Sequence, residues 1–127
     1  MTNNYVCLVC LGSNIDGEYH LDNARKALQT MFVEVSFGKP IVTKAEGDIE
    51  QPDYWNQAAR FITPLTFGEV IDILKQIEVV NGRMPEDKMR GVVPLDIDLL
   101  IYGGQVLKPD DLQKEYVLQA LRTITVE

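Results

Sequence analysis

The sequence predicts an α+β fold in which helices pack against a mainly antiparallel sheet. Apolar residues make up 46% of the chain and charged residues 24%, a balance typical of globular proteins. The length of 127 residues suits one domain, so we expect residues 1–127 to form a single unit. The spacing of the apolar residues changes along the chain between the period of a strand and that of a helix, as expected for helices layered on a sheet.

The first half of the chain predicts one helix between strands. The apolar run at residues 5–11 predicts a buried strand, and residues 19–31 predict a helix. The apolar stripe of this helix consists of Leu21, Ala24, Leu28 and Met31. Further short strands are expected at residues 32–37, 40–43 and 54–62. The first two of these form either separate strands or one bent strand, and the polar residues 44–53 are predicted to be a loop.

The second half contains the clearest helix signal. Thr66 and Glu69 fit a capping box at the start of a helix, and Asn81 followed by Gly82 is typical of a helix end. Apolar residues at helical spacing lie between these ends, at Val70, Ile73, Leu74, Ile77 and Val80. We expect a polar loop at residues 83–94, a strand at 95–102 and a short helix at 116–124. This order of elements favours a ferredoxin-like sandwich.

The charge of the chain excludes some functions. Nineteen acidic and twelve basic residues give a net charge of −7, so we expect no nucleic acid as a partner. The sequence has no run of about 18 apolar residues that would cross a membrane, and its first residues do not resemble a signal peptide. A cytoplasmic location is therefore expected.

The two cysteines, Cys7 and Cys10, are spaced like a metal-binding or redox pair. On a strand, however, side chains three residues apart point to opposite faces, so the two thiols diverge. We expect both to be small core residues.

Asp96 and Asp98 lie two residues apart in a predicted strand, so their side chains share one face. Neighbouring carboxylates repel each other unless a proton or a cation neutralises them, and Mg²⁺ binds one or two carboxylates together with substrate phosphates. Two such ions can stabilise both sides of a phosphoryl transfer. The alternative is a solvent-facing strand that carries two acids, and the pattern alone does not decide between these interpretations.

Tyr54 and Asn56 also share a strand face. An aromatic ring for stacking and a side-chain amide suit a flat heterocycle, although an ordinary strand with a half-buried aromatic is the more common interpretation. Glu78 and Arg83 flank the predicted end of the second helix, where an arginine can order nucleotide phosphates. The default interpretation is a surface ion pair. We expect His20, the only histidine, to be a polar surface residue.

Four segments occur together in a specific order, although each is a modest motif alone. They are Leu11-Gly12-Ser13-Asn14, Gln51-Pro52-Asp53-Tyr54-Trp55-Asn56, Ile77-Glu78 with Gly82-Arg83, and Leu95-Asp96-Ile97-Asp98-Leu99-Leu100-Ile101-Tyr102-Gly103. In this combination the sequence resembles the 6-hydroxymethyl-7,8-dihydropterin pyrophosphokinase family of folate biosynthesis. The resemblance covers approximately residues 5–106.

The resemblance implies a ferredoxin-like fold and ATP-dependent diphosphoryl transfer to the hydroxymethyl oxygen of the pterin, with release of AMP. It also implies two Mg²⁺ ions, with ATP as co-substrate. The matching positions are Asp96 and Asp98 for the metals and, with Arg83, for catalysis; Tyr54, Asn56 and Thr43 for the pterin; and Glu78, Arg83 and Arg90 for ATP.

The sequence also departs from the family pattern. The segment before the aspartates usually reads R-W-G-P-R-x-L-D-L-D, and here Val93 takes the position of the second arginine and Arg90 that of the tryptophan. The family's segment with a histidine and a further arginine has no counterpart before the last predicted helix, and we expect the family's usual C-terminal region to be missing. Tyr116 is a candidate for the aromatic that stacks on the pterin in the family. Lost cations weaken a transition state that depends on electrostatic stabilisation. The alternative to an enzyme is therefore a catalytically weak or inactive homologue that binds pterin or nucleotide or regulates a partner.

Overall fold

The computed structural model describes residues 3–44 and 53–124, which form a six-stranded antiparallel sheet with helices on both faces. The strands are β1 (Tyr5–Ser13), β2 (Val33–Phe37), β3 (Ile41–Thr43), β4 (Tyr54–Thr63), β5 (Asp96–Tyr102) and β6 (Gln105–Val106). The helices are α1 (Gly17–Met31), α2 (Phe67–Val80), α3 (Asp87–Arg90) and α4 (Glu115–Arg122), with a 3-10 turn at Asp111–Gln113. Residues 45–52, most of the predicted loop, lie outside the described residues.

The sheet has the topology that the order of elements predicts. The strands follow the order β2-β4-β1-β5-β6, each antiparallel to its neighbour, and β3 pairs with the start of β4. The strands β1 and β2, which α1 connects, therefore lie on either side of β4. The strands β4 and β5, which α2 connects, lie on either side of β1. This interleaving of two βαβ units is the ferredoxin-like arrangement, so the predicted fold class is confirmed.

The two faces of the sheet carry separate apolar clusters. On one face, Cys7 packs with buried residues of α1 and α2, including Leu21 and Leu74. On the other face, Cys10 packs with Val117 of α4. Burial of each large apolar side chain contributes about 1.5–3 kcal/mol to stability. Both cysteines are buried and free, and their places in clusters on opposite faces of the sheet confirm that their thiols diverge.

The ends of α2 follow the sequence signals. The Thr66 hydroxyl accepts a hydrogen bond from the Glu69 backbone N–H (3.2 Å), and the Glu69 carboxylate accepts one from the Thr66 backbone N–H (3.0 Å). Gly82, just beyond the helix end, has a φ of 91°, which glycine adopts at little cost. No helix in the part of the chain that the structure describes has the length and hydropathy needed to cross a membrane.

Some local predictions are wrong. Met31 and Val80 are exposed because they line an open groove between α1 and α2 rather than facing the sheet. His20 is not a surface residue: it is buried, and its Nδ1 lies 3.0 Å from Oδ1 of Asn81, so it links α1 to the end of α2. The polar loop before β5 contains the short helix α3, and the two glycines after β5 lead into β6.

Candidate active site

The aspartate pair and the Tyr54/Asn56 pair meet at one cavity. Asp96 and Asp98 lie at the start of β5, and both line a cavity of about 40 Å³ beneath α4 together with Tyr54 and Asn56. The strand register explains this proximity, because Gly12 of β1 pairs with Asn56 on one side and with Asp96 on the other. Three neighbouring strands therefore contribute to one row across the sheet.

Gly12 leaves room for the ring of Tyr54. A Cβ at this position would lie 2.6 Å from Cε1 of Tyr54 and 2.9 Å from its hydroxyl oxygen, which no real Cβ tolerates. The Tyr54 ring therefore lies across the bare backbone of β1. The pKa of Tyr54 is raised above its usual range, mainly by burial and next by the charges of Asp96 and Asp98. Its hydroxyl therefore stays neutral at physiological pH.

The side-chain nitrogen of Asn56 is buried without a partner. Asn56 is 3% exposed, and its Nδ2 makes no hydrogen bond with any residue that the structure describes. A buried donor without a partner costs about 1–3 kcal/mol. An acceptor on a ligand in the cavity would remove that cost.

The aspartate pair is electrostatically strained. The pKa of Asp98 is raised to about 6, mainly by burial and next by the adjacent Asp96 carboxylate. The Lys108 ammonium, with Nζ 3.5 Å from Oδ1 of Asp98, partly offsets this rise. A divalent cation would stabilise both carboxylates in their charged forms.

The donor set fits Mg²⁺ bound together with a substrate. Among residues 3–44 and 53–124, no group of three or more His, Cys, Asp or Glu side chains is arranged to hold a metal, so the site offers two carboxylates. Mg²⁺ is commonly held by one or two carboxylates, with phosphate oxygens and water completing its shell. Structural zinc, which is held by four protein ligands, does not fit.

Glu78 and Arg83 connect α2 to the aspartate strand. Nη1 of Arg83 donates to Oδ1 of Asp96 (2.6 Å) and lies 3.2 Å from Oε2 of Glu78. The same Glu78 oxygen accepts a hydrogen bond from the backbone N–H of Ile97 (2.8 Å). Because β6 pairs with β5 only at Ile101 and Tyr102, this N–H lies on an open strand edge that Glu78 satisfies. The surface ion-pair interpretation is therefore wrong, since both side chains are partly buried and contact β5. Burial raises the pKa of Glu78.

A groove of about 430 Å³ runs along the open edge of β5, beside α2. Asp96 and Asp98 line this groove as well as the cavity, so the carboxylate pair lies where the two spaces meet. The other charged residues of the groove are Lys75, Glu78, Arg83 and Lys108. Its apolar residues are Phe67, Ile71, Leu74, Ile97, Leu99 and Leu107. Cations with an apolar floor suit an anion that carries a flat ring.

Two residues implied by the resemblance lie outside the cavity and the groove. Thr43 pairs with Tyr54 across β3 and β4, and its hydroxyl donates to the Tyr54 carbonyl (3.4 Å). Arg90 is exposed at the end of α3, and its side chain makes no hydrogen bond or ion pair with any residue that the structure describes. Their roles stay predictions.

Asn14 has a structural role that sequence reasoning missed. Its Nδ2 donates to the carbonyl of Gly91 (2.7 Å), and its Oδ1 accepts from the backbone N–H of Val93 (2.6 Å). Asn14 thereby fixes the segment that leads into β5. The only sequence signal is its place in the Leu11–Asn14 motif, because the partners lie 77 and 79 residues away.

Comparison with known proteins agrees with this geometry. The family model described as 7,8-dihydro-6-hydroxymethylpterin-pyrophosphokinase (HPPK) matches residues 8–126. The chain is 32% identical over 110 residues to the 2-amino-4-hydroxy-6-hydroxymethyldihydropteridine pyrophosphokinase of Haemophilus influenzae, covering 82% of this chain and 66% of that protein. It is 32% identical over 105 residues to the Pseudomonas aeruginosa protein of the same name, covering 78% of this chain and 62% of that protein.

A plant relative is much longer. The chain is 30% identical over 112 residues to the "Folate synthesis bifunctional protein" of Arabidopsis thaliana, covering 83% of this chain and 22% of the plant protein. The chain thus spans about two thirds of the bacterial relatives and about a fifth of the plant one. The family model matches nearly the whole chain, residues of three of the motifs line the cavity, and Glu78 and Arg83 of the remaining motif line the adjoining groove. The chain therefore belongs to the 7,8-dihydro-6-hydroxymethylpterin-pyrophosphokinase family.

Proposed function

We propose that this protein transfers diphosphate from ATP to 6-hydroxymethyl-7,8-dihydropterin in folate biosynthesis and releases AMP. The observation that carries the proposal is the position of Asp96 and Asp98 between the Tyr54/Asn56 cavity and the groove beside α2, which contains Lys75, Arg83 and Lys108. This position allows two substrates to approach the same carboxylates from different sides. Membership of the family supports the reaction class.

The cavity is the proposed pterin site. The ring of Tyr54 offers a stacking surface, the free Nδ2 of Asn56 offers a donor, and Tyr116 of α4 lines the cavity as a second aromatic. Thr43 would help to position Tyr54 through the hydrogen bond from its hydroxyl to the Tyr54 carbonyl. A cavity of about 40 Å³ is too small for a bicyclic ring, since small-molecule sites measure about 300–1,000 Å³. The 3-10 turn and α4 must therefore move outward when the pterin binds.

The groove is the proposed ATP site. Asp96 and Asp98 would hold Mg²⁺, two ions by the family resemblance, and the metal would neutralise the phosphates. Arg83 already lies against Asp96 and so reaches any phosphate bound beside it, while Glu78 holds Arg83 and the β5 backbone in place. Arg90 is proposed as a further nucleotide contact. In the reaction, a bond forms between the pterin hydroxymethyl oxygen and the β-phosphorus, and the bond from the β-phosphorus to the oxygen bridging it to the α-phosphorus breaks.

An AMP-release assay tests the proposal. Folded protein with ATP, Mg²⁺ and the hydroxymethyl pterin should release AMP, and Asp96→Asn should abolish the release because it removes one of two metal-binding carboxylates. Asp72→Asn, at an exposed position of α2, is the matched control and should keep full activity. If the wild-type protein folds and binds neither substrate, the proposed function is wrong.

A non-catalytic homologue is the second candidate. Two features favour it. The position of Val93, whose backbone N–H is bound by Asn14, carries no cation, and Arg90 is exposed. Calorimetric titration separates the two candidates. Binding of both pterin and ATP without AMP release indicates a binding protein, and AMP release at a rate above the uncatalysed reaction indicates an enzyme.

A further inference from the structure

Lys108 lies at the aspartate pair, and no sequence motif assigns it a role. Its Nζ is 3.5 Å from Oδ1 of Asp98, and its side chain lines the groove that also contains Arg83. Arg83 contacts Asp96 in the same way, so each carboxylate of the pair has its own cation. The two cations thus flank the position where Asp96 and Asp98 face the groove.

The backbone holds Lys108 at this position. The N–H of Leu107 donates to the carbonyl of Leu100 in β5 (2.8 Å), and the Leu107 side chain packs against the main core. Pro109 follows and restricts the backbone on the other side. The Lys108 carbonyl accepts a hydrogen bond from the N–H of Leu112 (3.3 Å). The backbone is therefore anchored, and the long side chain alone is free to change partner.

The contact of Lys108 with Asp98 is weak enough to be exchanged. The Lys108 side chain is 47% exposed and that of Asp98 is 33% exposed. Such pairs contribute about 0–1 kcal/mol, because water screens them and two side chains must be ordered. Arg83, by contrast, contacts both Asp96 and Glu78 at shorter distances. A divalent cation on the aspartates would remove the attraction that holds Lys108 to Asp98 and leave its ammonium facing the groove.

We propose that Lys108 binds the polyphosphate of the nucleotide in the groove, opposite Arg83. This inference rests on the proposed function, since it requires ATP to bind beside the aspartate pair. Lysine binds phosphate as a point charge with rotatable donors, which suits a side chain that reaches in from a solvent-exposed position.

Nucleotide titrations test the inference without measuring turnover. We expect Lys108→Gln to weaken binding of ATP with Mg²⁺ about tenfold, because one charge-assisted contact to phosphate is lost. AMP, which lacks the β- and γ-phosphates, should bind both proteins equally, and Lys108→Arg should restore most of the ATP affinity. Lys26→Gln is the matched control, because it breaks an exposed lysine–aspartate pair on α1 (3.0 Å to Asp22) that lies outside the groove along β5.

Each outcome has one meaning. Equal ATP affinity for the wild type and K108Q overturns the inference, as does an equal loss of ATP and AMP affinity, which would indicate a structural role. If the wild type binds no ATP with Mg²⁺, the proposed function and the inference fail together, whereas ATP binding unaffected by K108Q removes the inference alone. Thermal unfolding checks that K108Q folds; if it does not, Lys108→Met, which keeps the aliphatic chain, replaces it in the same titrations.

Discussion

Replacing Asp98 by asparagine should stabilise the free protein at neutral pH, although it removes a proposed metal ligand. The carboxylate is two thirds buried beside Asp96, and burial and this neighbour raise its pKa from 3.8 to about 6. A rise of about two units corresponds to at most ~3 kcal/mol of destabilisation of the charged form. Screening by water at the exposed third, together with the lost contact to Lys108, reduces the expected gain to ~1–2 kcal/mol.

The size of this stabilisation depends on pH in a defined way. The folded-state pKa of Asp98 is higher than its ordinary value, so the destabilisation is absent below about pH 4, where the group is protonated in both states. It grows as the pH rises from about 4 to about 6 and stays constant above that range. The amide of D98N does not titrate, so its advantage over the wild type should appear at pH 7.5 and vanish near pH 4.

Urea unfolding at pH 7.5 and near pH 4 measures this difference, with Asp72→Asn as the control for loss of an exposed carboxylate. D98N should unfold at a higher urea concentration than the wild type at pH 7.5, and the two midpoints should converge near pH 4. A D98N protein that is less stable at pH 7.5, or equally shifted at both pH values, would refute the claim that the aspartate pair is strained in the absence of a cation.

Two other substitutions separate the parts of the site. Gly12→Ala should displace the Tyr54 ring and weaken pterin binding at least tenfold while leaving ATP affinity unchanged, since the three atoms nearest its Cβ all belong to the Tyr54 side chain. Equal losses for both ligands in calorimetry would contradict this. Glu78→Ala should lower the free energy of unfolding by about 1–3 kcal/mol, because the partly buried Ile97 N–H loses its acceptor. Urea unfolding measures this loss, and an unchanged stability would show that water replaces the carboxylate there.

Local signals predicted the features of the fold that depend on neighbouring residues. The capping box of Thr66 and Glu69 acts within one helical turn, so the sequence contains both partners side by side. The shared face of Asp96 and Asp98 follows from strand geometry alone. These predictions needed no knowledge of the rest of the fold.

Contacts between distant elements were not predictable in this way. His20 is buried because its ring meets Asn81 at the end of another helix, 61 residues later. Glu78 satisfies the Ile97 N–H because β6 is too short to cover that edge of β5, and the lengths of paired strands follow from the assembled sheet. Lys108 reaches Asp98 only after the chain turns through β6. In each case the partner is chosen by tertiary packing, which the residue pattern does not encode locally.

The proposed function depends on the binding of a metal–nucleotide complex by Asp96 and Asp98, next to the proposed pterin cavity. Its most direct test is the shift of the thermal unfolding midpoint with saturating Mg²⁺ and a non-hydrolysable ATP analogue, measured for the wild type and for Asp96→Asn. We expect a clear upward shift for the wild type that requires both Mg²⁺ and the nucleotide and is lost in the variant. An unchanged midpoint in the wild type, or an equal shift in both proteins, would contradict it.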